Sequence, residues 1–260
     1  MNNQFKNLWL RFVYKNYVTL IRKNQKVSRQ FRPQKKDIFI VSYPKSGNTW
    51  LRFLLANMIS DASITFDDIN NHIPDIYQTT FGELNKIKRP AIFKSHEPFN
   101  PSYMNVIYLV RNPVDVAFSL YNWECNRQGN RIPIAEFVDK FLYGGVQSGF
   151  GTWGEHVGSW MSTTNPRRKF LLIQYEAMLG EPCSYLRKIS NHFDLHPEKD
   201  LSNAIEFSKP ENMKKLESTK PRKIVRNATH SDGKKYLNQG DQNRIKDQFE
   251  YAMNLVGYWS

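Results

Sequence analysis

The sequence has few of the residues from which disulfide frameworks and metal sites are built. Its 260 residues include two cysteines, Cys125 and Cys183, and six histidines without an HExxH pattern. Two cysteines are too few for a disulfide scaffold, and they lack the spacing of metal ligands. We therefore predict a reducing, cytoplasmic setting and no metal site.

Long apolar runs are also missing. No stretch of about 18 uncharged apolar residues occurs, so we predict no membrane span. Arg11 and Lys15 interrupt the apolar stretch near the N-terminus, which argues against a secretory signal. With 40% hydrophobic and 14% aromatic residues, the composition is typical of a folded chain with a well-buried core.

Acidic residues are absent from residues 1–36, which contain ten Lys or Arg. The net charge is +13, so this segment carries +10 and the other 224 residues carry +3. Its basic and apolar residues lie on opposite sides of a helix at 100° per residue. We interpret it as a basic amphipathic helix docked on a single domain of residues 37–260. Peripheral contact with anionic lipid and a transit peptide are the alternatives.

Short apolar runs alternate with helical patterns along the rest of the chain. The predicted strands are 37–43, 91–96, 105–112 and 169–175. The predicted helices are 47–60, 113–128, 134–143, 152–163, 183–193, 198–207 and 241–256. This alternation predicts a three-layer α/β/α domain with a central, mainly parallel sheet. The regions 61–90 and 209–240 have weak periodicity and are predicted as loops.

The first predicted strand runs into the sequence YPKSGNTW and then into a helical pattern. In this layout, backbone amides at a helix N-terminus bind a phosphate. Gly47 permits close backbone approach, while Lys45, Ser46 and Thr49 supply a charge and two hydroxyls. Lys45 precedes the glycine and no GK[ST] occurs, which argues against a Mg-ATP loop. A turn with an exposed lysine is the alternative.

A second strand-to-helix junction lies in YLVRNPVDVAFSLYNW. Asn112 and Pro113 are typical of a helix start, and Asp115 favours the positive helix end. Arg111 at the strand end is suited to bind a phosphate, with Ser119 two turns along the helix. The alternative is an arginine paired with a surface carboxylate. Two basic strand ends at one sheet edge predict a ligand with two phosphate groups.

The sequence FKSHEPF ends another predicted strand at the same edge. It places Lys94 and His96 beside the predicted phosphate loop. A neutral imidazole accepts protons near pH 7, so His96 is a candidate general base. A structural histidine is the alternative.

Together, YPKSGNTW, KSH and RNPxDxxxSxY resemble the sulfotransferase family that uses 3′-phosphoadenosine 5′-phosphosulfate (PAPS). Weaker similarity in GTWGEHVGSW and LLIQYEAM extends the resemblance over about residues 37–257. The resemblance implies a P-loop-like nucleotide-binding core and adenosine 3′,5′-bisphosphate as product. It assigns the phosphosulfate to Lys45, Ser46, Gly47, Asn48 and Thr49, the adenine to Trp50, Tyr175 and Ser208, and the 3′-phosphate to Arg111, Ser119 and Arg226.

The resemblance also implies how the reaction is catalysed. Lys45 would neutralise the bridging oxygen, Lys94 would support the sulfonate oxygens, and His96 would accept the acceptor's proton. Positioning and charge stabilisation suffice for such a transfer, so no metal is expected.

Two late elements depart from the family. Its RKGxxGxW element reads RNATHSDG, which keeps Arg226 but loses a lysine and both glycines. Its KxxxTVxxxE association motif reads KKYLNQGDQN, without the TV and the Glu, so the family's dimer is not predicted. The oligomeric state stays open.

Two other functions compete with sulfuryl transfer: a nucleotide-dependent small-molecule kinase and a basic nucleic-acid-binding protein. The kinase lacks a Walker lysine, and the N-terminal aromatics have core-like spacing rather than forming a stacking platform. We predict a small-molecule acceptor, such as a natural product or sugar, and no nucleic-acid partner. Candidates to line its pocket, each equally suited to a core position, are residues 61–90, Phe99, Trp123, Trp153, His156 and Trp160.

Overall fold

The computed structural model describes residues 31–60, 63–163, 165–197, 200–217 and 232–258. Most of the basic N-terminal segment and Arg226 lie outside these residues. All four predicted strands are confirmed, with shorter bounds: β1 (Ile38–Val41), β2 (Ile92–Ser95), β3 (Asn105–Val110) and β4 (Lys169–Gln174). They form one parallel sheet in the order β2-β1-β3-β4. The carboxyl ends of all four strands therefore meet at one edge.

The predicted helices are confirmed, and further short ones appear. In chain order the described helices are α1 (Asn48–Met58), α2 (Ile69–His72), α3 (Phe81–Lys86), α4 (Pro113–Gln128), α5 (Ile134–Leu142), α6 (Trp153–Met161), α7 (Tyr175–Gly180), α8 (Pro182–Phe193), α9 (Leu201–Phe207), α10 (Pro210–Glu217), α11 (Asp232–Tyr236) and α12 (Gln239–Leu255). The prediction of loops at 61–90 and 209–240 was wrong where α2, α3, α10 and α11 lie. These helices have four to eight residues, too few for an apolar period to be recognised.

Alternation along the strands buries a different apolar set on each face of the sheet. Phe39, Val41 and Phe93 pack in a core cluster with residues of α4, α5, α6 and α12. Ile38 and Ile40 pack on the other face with residues of α1, α7, α8 and α9. The sheet thus has helices on both faces, which confirms the three-layer α/β/α prediction.

Local sequence signals set the start of the two helices that follow β1 and β3. Asn112 caps α4, since its Oδ1 accepts a hydrogen bond of 3.0 Å from the amide of Val114. Gly47 precedes α1 in the left-handed region, with φ 95°, and no side chain caps this helix. The first amides of α1 therefore point towards the sheet edge without a capping side chain.

Residues 73–77, here called the edge segment, run alongside β2 at the border of the sheet. Asp75 pairs with Lys94 in a parallel bridge. The amide of Lys94 donates to the carbonyl of Pro74 at 2.8 Å, and the amide of Ile76 donates to the carbonyl of Lys94 at 3.3 Å. The edge segment therefore has a fixed register beside the strand that carries Lys94.

Candidate active site

The loop from Tyr43 to Gly47 wraps over the start of α1. Lys45 and Gly47 both have positive φ, 67° and 95°. The backbone of Lys45 is strained in this conformation because Lys45, unlike glycine, carries a side chain. Asn48 fixes the loop from below, because its Nδ2 donates to Ser42 Oγ at 3.0 Å and to the carbonyl of Ile40 at 3.3 Å. Within the described residues, the buried Oγ of Ser46 has no hydrogen-bond partner. This loop therefore presents a polar atom suited to a bound anion.

Gly47 lies directly against Tyr175, the first residue of α7. A Cβ added at Gly47 would lie 2.3 Å from Cδ2 of the Tyr175 ring, far closer than carbon atoms approach. Glycine is thus required here both by backbone conformation and by this contact.

Arg111, at the carboxyl end of β3, joins the loop to Tyr175. Its Nη1 donates to the carbonyl of Lys45 at 3.4 Å, and its guanidinium carbon lies 4.6 Å from the centroid of the Tyr175 ring. The Trp153 indole N–H donates to the carbonyl of Arg111 at 3.1 Å. The guanidinium is therefore held at the sheet edge between the carbonyl of Lys45 and the ring of Tyr175.

Trp50, Tyr175 and Ser208 form one contact cluster beside Arg111. The rings of Trp50 and Tyr175 meet edge to face with centroids 5.7 Å apart. The Trp50 indole donates to the carbonyl of Ser208 at 3.1 Å. Asn57, which the sequence did not single out, donates to Ser208 Oγ at 3.1 Å. The residues predicted on the adenine side are thus neighbours, although 158 positions separate Trp50 from Ser208.

The start of α4 is bound to the segment that follows the undescribed residues 218–231. Asp115 Oδ1 accepts a 2.7 Å hydrogen bond from the amide of Gly233. A Cβ at Gly233 would lie 2.4 Å from the carbonyl oxygen of Val114, so helix α11 sits directly on α4. Ser119 is partly buried further along α4. Glu176 also fixes this junction, because its Oε1 accepts from the amide of Asn112 at 2.9 Å.

His96 follows β2 and is anchored at three points. Its Nδ1 lies 2.7 Å from the carbonyl oxygen of Ser42, and its amide donates to the hydroxyl of Tyr77 at 3.1 Å. Its carbonyl accepts a 3.1 Å hydrogen bond from Nε2 of His156. Because a carbonyl only accepts, Nδ1 carries the proton and Nε2 keeps a lone pair.

The surroundings of His96 keep the imidazole neutral. Burial, followed by the charge of Lys94, lowers the pKa of His96 well below its ordinary value. Phe150 meets the His96 ring with centroids 5.7 Å apart, and the Tyr77 ring lies parallel at 6.2 Å. Tyr77 lies within residues 61–90, which were named from the sequence as candidates for the pocket lining, whereas Phe150 was missed, although the glycine-rich stretch GGVQSGFG around it is typical of a loop near a site.

Lys94 is held by a carboxylate that the sequence did not reveal. Its Nζ lies 2.5 Å from Asp75 Oδ2 and 5.8 Å from the centroid of the Tyr77 ring. Burial lowers the pKa of Lys94 below its ordinary value, while the carboxylate of Asp75 opposes that shift. Lys94 and His96 therefore lie together at the sheet edge, as predicted, with the edge segment covering both.

Three of the candidates for a pocket lining lie in the core instead. Trp153 and His156 have no exposed surface and Trp160 is 2% exposed. His156 Nδ1 bonds to the Tyr108 hydroxyl at 2.8 Å while Nε2 bonds to the His96 carbonyl. Burial lowers the pKa of His156 to about 3. His156 therefore acts as a neutral structural link under His96.

We expect the two buried neutral histidines to make the protein less stable in mild acid. His96 and His156 bind protons in the unfolded chain near pH 6.5 but not in the folded one, so stability falls as pH drops below 6.5. Well below pH 6.5, where the unfolded histidine is fully protonated, each contributes about 1.4 kcal/mol per pH unit. Urea unfolding between pH 7 and pH 5 measures this slope.

The His156→Gln variant should lose about half of the slope that the two buried histidines supply. An unchanged slope in His156→Gln would contradict the assignment of His156 as buried and neutral.

No described helix is both long and apolar enough to cross a membrane. Among the described residues, no group of three or more His, Cys, Asp or Glu has the arrangement of a metal site.

This chain is similar to known proteins in sequence and in fold. The family model described as "Sulfotransferase domain" matches residues 35–256. Mouse sulfotransferase 1B1 is 30% identical over an alignment of 184 residues, which covers 64% of this chain and 60% of the mouse protein. Mouse sulfotransferase SULT7A1, solved with adenosine 3′,5′-bisphosphate, has a TM-score of 0.71 at 22% identity, covering 91% of this chain and 95% of that one. Retinol dehydratase, solved with retinol and the same bisphosphate, has a TM-score of 0.58 at 16% identity, covering 90% and 86%.

Proposed function

The chain belongs to the family of PAPS-dependent sulfotransferases, and on that premise we propose that it transfers a sulfuryl group from PAPS to a small-molecule hydroxyl or amine, with His96 as general base. One observation carries the proposal: His96 donates from Nδ1 to the carbonyl of Ser42, immediately before the loop from Tyr43 to Gly47, so its Nε2 keeps a lone pair that can accept a proton. The family match favours sulfuryl transfer over the kinase and nucleic-acid alternatives.

His96 Nε2 takes the proton of the acceptor as the reaction proceeds. The acceptor's oxygen or nitrogen forms a bond to sulfur while the bond from sulfur to the phosphate oxygen breaks, and that oxygen leaves with the electron pair. A neutral imidazole is required at the outset, which agrees with the lowered pKa of His96.

Lys45 and Lys94 stabilise the charge that moves during the transfer. Lys45 lies in the loop and is assigned to the bridging oxygen, where negative charge develops as the leaving group departs. Lys94 lies at the end of β2, close to His96, and is assigned to the sulfonate oxygens. PAPS supplies the activated sulfuryl group, and these side chains orient it for in-line attack.

The residues assigned to the donor have the chemistry that it needs. The uncapped start of α1 and the unpartnered Oγ of Ser46 suit the phosphosulfate end. Arg111 is suited to the 3′-phosphate, with Ser119 further along α4. The cluster of Trp50, Tyr175 and Ser208 offers rings and a hydroxyl to the adenine. Arg226 stays a proposed 3′-phosphate ligand outside the described residues.

The acceptor is assigned to the side of His96 that Tyr77 and Phe150 face. Aromatic rings around the base suit a small organic acceptor, such as a natural product or a sugar. Retinol dehydratase, which has the same fold, holds retinol in its crystal structure. A cytoplasmic location and the absence of a nucleic-acid partner are part of the same proposal.

The donor assignment predicts selective stabilisation by the product nucleotide. Adenosine 3′,5′-bisphosphate at 100 times its dissociation constant should raise the free energy of unfolding by about 2.7 kcal/mol. ATP lacks the 3′-phosphate that Arg111 would bind and should do much less. A thermal-shift titration with both nucleotides measures the difference.

Arg111→Met should lose most of this stabilisation, while Arg167→Met, at an exposed arginine, should keep it. Equal shifts with both nucleotides, or a full shift in Arg111→Met, would count against the assignment.

A further inference from the structure

Asp75 is a buried carboxylate that ends at Lys94. Its residue is 1% exposed, and its Oδ2 lies 2.5 Å from Lys94 Nζ. Its other oxygen accepts a 3.0 Å hydrogen bond from the amide of Tyr77, and its own amide donates to Asn70 Oδ1 at 3.2 Å. The carboxylate is therefore fixed in position by the edge segment rather than by the lysine alone.

The charged and titratable groups that face Lys94 come from three elements. Asp75 and the Tyr77 ring come from the edge segment, Arg52 from α1, and His96 from the end of β2. Arg52 is buried and is held by the carbonyl of Ile73 at 3.2 Å and by Asn70 Oδ1 at 2.8 Å. Among the groups named, Asp75 alone is an anion, so it alone favours the charged form of Lys94.

We propose that Asp75 is a positioning residue, which holds the ammonium of Lys94 at the sheet edge and keeps it protonated during sulfuryl transfer. The proposal rests on the function proposed above, since Lys94 is assigned there to the sulfonate oxygens. Burial and the charge of Arg52 both favour loss of the lysine's proton, and the carboxylate opposes them. A neutral amine would not stabilise the oxygens of the transferring group.

The test is the pH dependence of kcat/KM in Asp75→Asn, which keeps the shape of the side chain and removes its charge. The alkaline limb, where Lys94 loses its proton, should move at least one pH unit lower. Below that limb the activity should lie within tenfold of the parent enzyme. Asp194→Asn, which removes the carboxylate of an exposed lysine pair with Lys169, is the matched control and should leave the limb in place. A loss by one factor at every pH, or no change at all, would overturn the proposal.

A second readout separates this proposal from the proposed function. Lysines labelled with ¹³C at Cε report the titration of Lys94 by NMR without any turnover, and Lys94→Arg identifies its signal. The Lys94 pKa should fall in Asp75→Asn and stay unchanged in Asp194→Asn. If the parent enzyme transfers no sulfuryl group from PAPS, the proposed function fails, while this titration still decides whether Asp75 maintains the charge.

A third variant covers the case in which Asp75→Asn does not fold. In Lys94→Arg the guanidinium stays charged across the whole range, so the alkaline limb should disappear. An unchanged limb in that variant would overturn the proposal, because the limb would then belong to another group.

Discussion

Replacement of His96 by alanine is expected to slow sulfuryl transfer by a factor of about 100 to 10 000, the usual contribution of a general base. Donor binding should remain, because the imidazole contacts the Ser42 carbonyl and aromatic rings rather than the residues assigned to the nucleotide. The measurements are the turnover rate with radiolabelled PAPS and, in parallel, the thermal shift with adenosine 3′,5′-bisphosphate.

The choice of acceptor sharpens this test. A phenol that is already ionised at the assay pH needs no base, so His96→Ala should lose far less activity with it than with an alkyl alcohol. His196→Ala serves as the matched control, since His196 is an exposed residue that follows α8. Full turnover of an alcohol by His96→Ala would remove His96 as the base.

The Gly47→Ala variant is expected to lose donor binding. Its Cβ would lie 2.3 Å from the Tyr175 ring, and its φ of 95° would strain any side chain. Relief requires movement of the ring or of the loop, and both belong to the proposed donor site. The strain alone is about 1–3 kcal/mol. We expect at least a tenfold weaker affinity for adenosine 3′,5′-bisphosphate, measured by calorimetry, together with a lower Tm.

Gly82 provides the matched control for this substitution. A Cβ at Gly82 has no heavy atom within 4 Å, and the residue lies in helix α3. Gly82→Ala should therefore be neutral or slightly stabilising, by up to about 1 kcal/mol. Bisphosphate binding by Gly47→Ala with the affinity of the parent protein would show that the loop is not part of the donor site.

Sequence reasoning succeeded where the signals are local. The four strands were predicted from short apolar runs, and helix α4 from the Asn112 cap and Pro113, signals that each act within a few residues. The parallel order then follows from alternation of strands and helices. The placement of Lys94 and His96 at one edge was predicted in the same way.

The remainder depends on contacts between distant parts of the chain. The ion pair between Asp75 and Lys94 spans 19 positions, and no period or motif marks Asp75. Tryptophan and histidine side chains are common in binding surfaces. Here, however, Trp153, His156 and Trp160 are buried in the core under β3. Only the packing of α6 against the sheet distinguishes these two outcomes.

Because three hydrogen bonds anchor His96, its conformation is fixed when the protein folds. The hydroxyl of Tyr77 and the Nε2 of His156 hold the backbone of His96, and the carbonyl of Ser42 holds its imidazole. Since the protein itself supplies these contacts, the rotational entropy of the imidazole is lost once, when the chain folds, and not again in each catalytic cycle. Binding of an acceptor at this edge therefore costs entropy of the acceptor, but no further entropy of the imidazole.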